Sequence, residues 1–191
     1  MRKTRLLAAA ALGVALAAGS AAAQDAFNLE KTVAACTTCH GADGVPAQAD
    51  IPVVWGQQFY YLYVQLKDYK AGRRANEFME SIVAGFDRDQ MKALAAYFAE
   101  KPWPKIVTGK DSDTARAGRV QTVAGQCSGC HNRYLGDSRI PRLAGQQREY
   151  LLRTMLEFKH KVRLNSAAKG SLMNSYDDGG IEQIAHFLAT L

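Results

Sequence analysis

Cys36-Thr37-Thr38-Cys39-His40 recurs 91 residues further on as Cys127-Ser128-Gly129-Cys130-His131. Two cysteines separated by two residues and followed at once by histidine present both thiols to the vinyl groups of one haem and set an imidazole beneath its iron. That chemistry constrains the fold, because the chain must wrap a large flat apolar group held against each motif. Rival readings lack their context. Four cysteines can pair as two disulfides, but the adjacent histidines then have no role. A structural zinc site wants further ligands near each pair, and the other histidines, His160 and His186, both lie in the second half. A thioredoxin-type redox pair sits in an alternating strand and helix pattern, which is missing here. The residues therefore support two covalently bound haem c groups, on Cys36, Cys39, Cys127 and Cys130, with His40 and His131 as proximal ligands.

The repeat extends beyond the motifs. Ile51-Pro52 and Gly56-Gln57-Gln58 return at an offset of 89 as Ile140-Pro141 and Gly145-Gln146-Gln147. Tyr61-Leu62, Asp68, Lys70, Arg74 and Asn76 match Tyr150-Leu151, Glu157, Lys159, Arg163 and Asn165 at the same offset, and Ala96 falls on Ala185. Such self-similarity marks a duplicated unit. Each half carries three helical patterns: one running into the cysteine motif, one after Gly-Gln-Gln and one at the end. Phe59, Leu62, Leu66 and Tyr69 fall at helical spacing, as do Leu151, Met155 and Phe158. Asp87 with Gln90 three residues on fits a capping box opening the last helix of the first half. Pro102-Trp103-Pro104 cannot continue that helix. The expectation is an all-α chain of two tandem domains, 24–101 and 111–191, joined by a linker over 102–110. Each domain is small for a self-sufficient core, and a porphyrin supplies what the chain cannot.

Residues 1–23 read as a secretory signal: Arg2, Lys3 and Arg5, an Ala/Leu stretch from Leu6 to Ala18, then Ala21-Ala22-Ala23. Export to the periplasm is the expectation. Removing that segment lowers the basic side chains from 24 to 21 against 18 acidic ones. The remainder is uneven, with 9 basic and 10 acidic residues over 24–105 against 12 and 8 over 106–191. Scattered cations without a recognised motif argue against nucleic acid as a partner.

The sixth ligand separates an electron carrier from an oxygen-reactive haem, because an open iron binds substrates and a closed one does not. Met155 and Met91 fall on helical apolar stripes and read as packing. Met79 and Met173 each lie in the polar stretch between the middle and last helices, where a thioether can fold over the haem face opposite His40 or His131. Both are expected as axial ligands. His160 reads as a solvated residue at a helix end, and His186, at the place of Tyr97, as packing. Pro52 and Pro141 follow their histidines by 12 and 10 residues, and a carbonyl there is placed to fix the imidazole.

Cys36-Thr37-Thr38-Cys39-His40-Gly41-Ala42-Asp43-Gly44, Gly56-Gln57 with Tyr61-Leu62, Lys70-Ala71-Gly72, Met79 and Leu94-Ala95-Ala96-Tyr97 resemble the first domain of the dihaem cytochrome c4 family, two class I cytochrome c domains in tandem. The resemblance covers nearly all of residues 24–191. It implies histidine and methionine at both irons, a pseudo-twofold pairing of the haem domains, and single-electron delivery toward a terminal oxidase or reductase, with no catalysis of its own. Departures occur at Val53-Val54-Trp55 in the first half, and at Asn132-Arg133-Tyr134 and the final loop Asp177-Asp178-Gly179-Gly180 in the second. The second half also resembles the dihaem subunit of flavocytochrome c sulfide dehydrogenase, which implies a fixed electron acceptor of a periplasmic dehydrogenase as the alternative. Partners under either reading are redox proteins, such as a terminal oxidase, a cytochrome bc1-type complex or a dehydrogenase, with room for peripheral association at a membrane. A haem enzyme needs a vacant or unusual sixth ligand at one iron.

Overall fold

A computed structural model describes residues 27–106 and 110–191; the expected signal segment lies outside them. In chain order the helices are α1 (Leu29–His40), α2 (Phe59–Lys70), α3 (Glu77–Val83), α4 (Arg88–Ala99), α5 (Asp113–Ala124), α6 (Cys127–Cys130), α7 (Arg148–Lys159), α8 (Ala167–Met173) and α9 (Asp178–Ala189). Among the described residues there is no strand, only two isolated bridges, and no helix is long and apolar enough to cross a membrane.

The helix starts follow from side-chain oxygens that take up free amides. Asn28 accepts from Lys31 N, Ser112 from Ala115 N, and Asp87 with Gln90 forms the expected capping box. Asp177 caps α9, with Gly180 N donating to its Oδ1 at 2.7 Å. Asp177 to Gly180, expected as a loop, is thus the start of a helix. Met79 and Met173, expected in loops, sit instead on the short helices α3 and α8; Asn76 seeds the first by accepting from Met79 N.

The second motif also departs from a helix running straight into it. Helix α5 stops at Gly125, Gln126 is left-handed (φ 52), and the cysteines form a separate turn, α6. A Cβ at Gly125 would fall 2.2 Å from the Tyr176 hydroxyl, which donates to Gln121 O, so the approach of that tyrosine fixes the break. Asn132, Arg133 and Tyr134 then form a left-handed run. Tyr134 anchors it, donating to Thr122 Oγ1 at 3.0 Å and packing edge-on against Phe187.

Each half has its own core. In the first, Leu62 of α2 meets Leu94, Ala95 and Phe98 of α4 and Val33 of α1. In the second, Leu151 of α7 meets Ile184, Ala185 and Leu188 of α9. The core pairing puts Ala95, not Ala96, opposite Ala185, because one residue is added after α7 and the offset rises from 89 to 90. His186 consequently matches Ala96 rather than Tyr97. It packs half-buried with Nε2 3.3 Å from Ser112 Oγ. At the departure in the first half, the Trp55 ring lies against Gly44, where a Cβ would come within 2.7 Å of it, and Lys101 sits over its face.

The two halves meet through reciprocal contacts. Gln146 accepts from Val53 N at 2.8 Å and donates to Val53 O at 3.0 Å. Its counterpart Gln57 accepts from Arg142 N at 2.7 Å and donates to Arg142 O at 3.0 Å. Residues 53 and 142 are themselves related by the offset of 89, as are Arg74 and Arg163, whose backbones form an antiparallel bridge. Only a twofold relation brings equivalent residues together in this way, and its axis passes between the two arginines.

Candidate functional site: a shared double haem cleft

A continuous cavity of about 1000 Å³ runs between the halves. Both Cys-x-x-Cys-His motifs line it, together with Met79 and Met173. Cys36 and Cys39 sit one turn apart on α1, and Cys127 and Cys130 span α6; no disulfide joins any two of them. Burial raises the pKa of the Cys36 and Cys127 thiols. Among the described residues no cluster of three or more His, Cys, Asp or Glu is placed to hold a metal ion by itself, so the zinc alternative has no ligand set.

Each histidine is oriented by a proline carbonyl. His40 Nδ1 lies 2.9 Å from Pro52 O and His131 Nδ1 2.9 Å from Pro141 O. With Nδ1 donating, Nε2 keeps its lone pair free for a metal. Burial lowers the pKa of both imidazoles, more than the carbonyl contacts raise it, and so keeps them neutral. Arg74 and Lys169 add smaller depressions at His40 and His131 respectively.

The cavity wall is cationic at the interface. Six Arg or Lys side chains face it against two carboxylates, Asp50 and Asp68. Arg74 and Arg163 are each only 5% exposed. Gln65 accepts from both, at 3.1 and 2.7 Å, and Arg74 also donates to Tyr150 Oη at 2.9 Å. Arg163 Nη1 has no partner although it is buried. An unpaired buried guanidinium nitrogen is costly, and its surroundings call for an anion. Burial pushes the Tyr150 phenol up, yet the two guanidiniums outweigh it and pull that pKa down to about 7. Two haems bring apolar rings for the cavity and carboxylates for the arginines, so the residues present fit the cofactor that the motifs demand.

The two methionines are not equivalent. Met79 occupies the first turn of α3. Met173 is the last residue of α8, buried against Phe158 and Ile181, and the residue at Met79's place in α8 is Lys169. Burial, then the Arg163 charge, lower the pKa of that lysine. His160 ends α7 and does not line the cavity, nor does His186; Met91 is core. Sequence reading passed over Gln57, Gln146 and the arginine pair as binding groups. Their signal was present in the repeat, since all four are matched at one offset, but matching alone does not tell an interface from a core.

Two helical haem-binding domains facing one cleft, each with its cysteines on one side and an oriented imidazole beneath, define a dihaem c-type cytochrome. No protein-family model matches the chain. Cytochrome c4 of Azotobacter vinelandii is 32% identical over 182 residues, covering 85% of this chain and 83% of its own, and that of Pseudomonas aeruginosa is 30% identical over 169, covering 84% and 81%. The chain belongs to the cytochrome c4 family, and is an electron-transfer protein with two covalently bound haems. The solved cytochrome c4 of Acidithiobacillus ferrooxidans superimposes with a TM-score of 0.73 at 26% identity, over 83% of this chain and 99% of that one. A thiosulfate dehydrogenase electron acceptor from Stutzerimonas stutzeri is 29% identical over 171 residues, 82% of this chain and 79% of its own. The thiosulfate dehydrogenase of Marichromatium purpuratum contains the same fold, with a TM-score of 0.73 at 26% identity over 81% of this chain and 36% of the larger one.

Proposed function

We propose that the chain is a periplasmic carrier moving single electrons between a respiratory donor and a terminal oxidase or reductase. The shared cleft carries this reading, because it holds two haem-attachment motifs with both histidines already oriented. Bound haem supplies the reversible one-electron couple; the chain supplies ligands, burial and charge. Residues 24–101 and 111–191 are the two carrier domains and 102–110 their linker. His40 and Met79 would hold the first haem iron, and His131 with a donor from helix α8 would hold the second. Arg74 and Arg163 neutralise the haem carboxylates at the interface. Membrane association, where it occurs, is peripheral.

A second reading is electron acceptance from a thiosulfate dehydrogenase, favoured by the relative of that name and by the larger thiosulfate dehydrogenase that contains this fold. Rapid mixing of the oxidised protein with a reduced thiosulfate dehydrogenase, and of the reduced protein with an oxidase, separates the two. The carrier reading expects fast oxidation by the oxidase and slow reduction by the dehydrogenase. Fast reduction by the dehydrogenase with no turnover by the oxidase overturns it.

A further inference from the structure

Helices α3 and α8 correspond residue for residue at an offset of 90. Both have seven residues and start after Asn76 and Ser166. Glu80 N bonds to Asn76 O as Gly170 N does to Ser166 O, and Phe86 N to Val83 O as Tyr176 N to Met173 O. The order of exposed, half-buried and buried positions is the same along 77–86 and 167–176. At this register Met173 takes the place of Val83, fully buried in its own half, and packs into the apolar layer with Phe158 and Ile181. Met79 is matched by Lys169.

Lys169 is half-buried and lines the cavity beside Cys130 and His131. Among the described residues no carboxylate pairs with its ammonium; the ion pairs nearby are Lys159 with Asp178 and Arg153 with Glu157. Resting on the reading that both motifs carry haem, we infer that Lys169, not Met173, supplies the sixth ligand of the second iron. Its ammonium would give up a proton to water, freeing the Nζ lone pair to bind that iron; no electron is transferred. An amine is a harder donor than a thioether and favours ferric iron, whereas methionine raises the potential. The second haem is therefore the lower-potential one, and electrons run downhill from the second domain to the first.

The test is near-infrared and visible spectroscopy of the ferric dihaem protein, normalised to haem counted chemically. A count below two haems per chain fails the underlying reading and is seen before any ligand is assigned. With two haems present, the sulfur-to-iron charge-transfer band should have the amplitude of one haem. Met173→Leu should leave it unchanged, and Met79→Leu should abolish it. Lys169→Met should double the band and raise the lower of the two potentials. Two haems' worth of band in the unaltered protein, or loss of band in Met173→Leu, overturns the inference. So does an unchanged spectrum in Lys169→Ala, which would make the lysine only a counter-ion for a haem carboxylate. The unaltered protein and Met173→Leu decide the matter even where the lysine variants fail to fold.

Discussion

Replacing Gln146 by alanine should separate the two halves more effectively than the same change at its twin, Gln57. Gln146 Oε1 accepts from Val53 N and Gln147 N, and Nε2 donates to Val53 O. Val53 is 1% exposed, so truncation strands two main-chain groups away from water and weakens a third. A buried group left unsatisfied costs about 1–3 kcal/mol; with partial relief by water the loss is about 3–5 kcal/mol. Gln57 serves Arg142, a half-buried residue. Water can replace those bonds, and the loss there should be about 1–2 kcal/mol. Urea unfolding of the dihaem protein, followed by circular dichroism and by haem absorbance, measures both. Gln146→Ala should lower the midpoint more and split the transition, since the bonds it removes cross between domains and leave each core intact. Equal losses in the two variants would refute the difference in water access between Val53 and Arg142, and a loss under about 0.5 kcal/mol for Gln146→Ala would refute the assignment of these bonds to the interface.

Met79→Ala should open the first iron, remove its thioether band and lower one reduction potential while the other stays in place, as read by spectroelectrochemistry. Arg163→Gln should lower both potentials, because a buried cation beside both haems disfavours the ferric state, and Arg163→Lys should retain most of the effect; an unchanged pair would place the guanidinium away from the cofactors. Gly118→Val should destabilise the second domain by about 1–3 kcal/mol or more in thermal unfolding, because any Cβ at Gly118 falls 1.9 Å from Gln183 O where α5 crosses α9.

Much of this architecture was legible in the sequence because it repeats. The motifs, the Pro52 and Pro141 contacts, the capping box at Asp87 and the helical character all follow from local chemistry that tolerates little variation. The register is less legible where one residue is inserted. A residue added between Arg163 and Ser166 moves every later match by one, so Ala96 was paired with Ala185 in place of Ala95. The same shift puts Lys169, not Met173, at the place of Met79 in the repeat. A thioether in the right stretch of chain draws attention; a lysine reads as surface until the helix shows which way it lies. The α5 break at Gly125 depended on Tyr176, more than 50 residues away, and no local pattern carries that.

The reciprocal glutamines read main chain and not side chain. Gln57 and Gln146 each hold an amide and a carbonyl, groups present at every residue but proline. The positions they grip are therefore free to drift, and they have: one is valine, the other arginine. A fused pair that began as two identical copies can let its outer surfaces diverge, toward different partners at either end, without renegotiating the seam that keeps the copies in step. The −1 and +4 balances of the two stretches of chain, 9 basic against 10 acidic and 12 against 8, are what such licence permits.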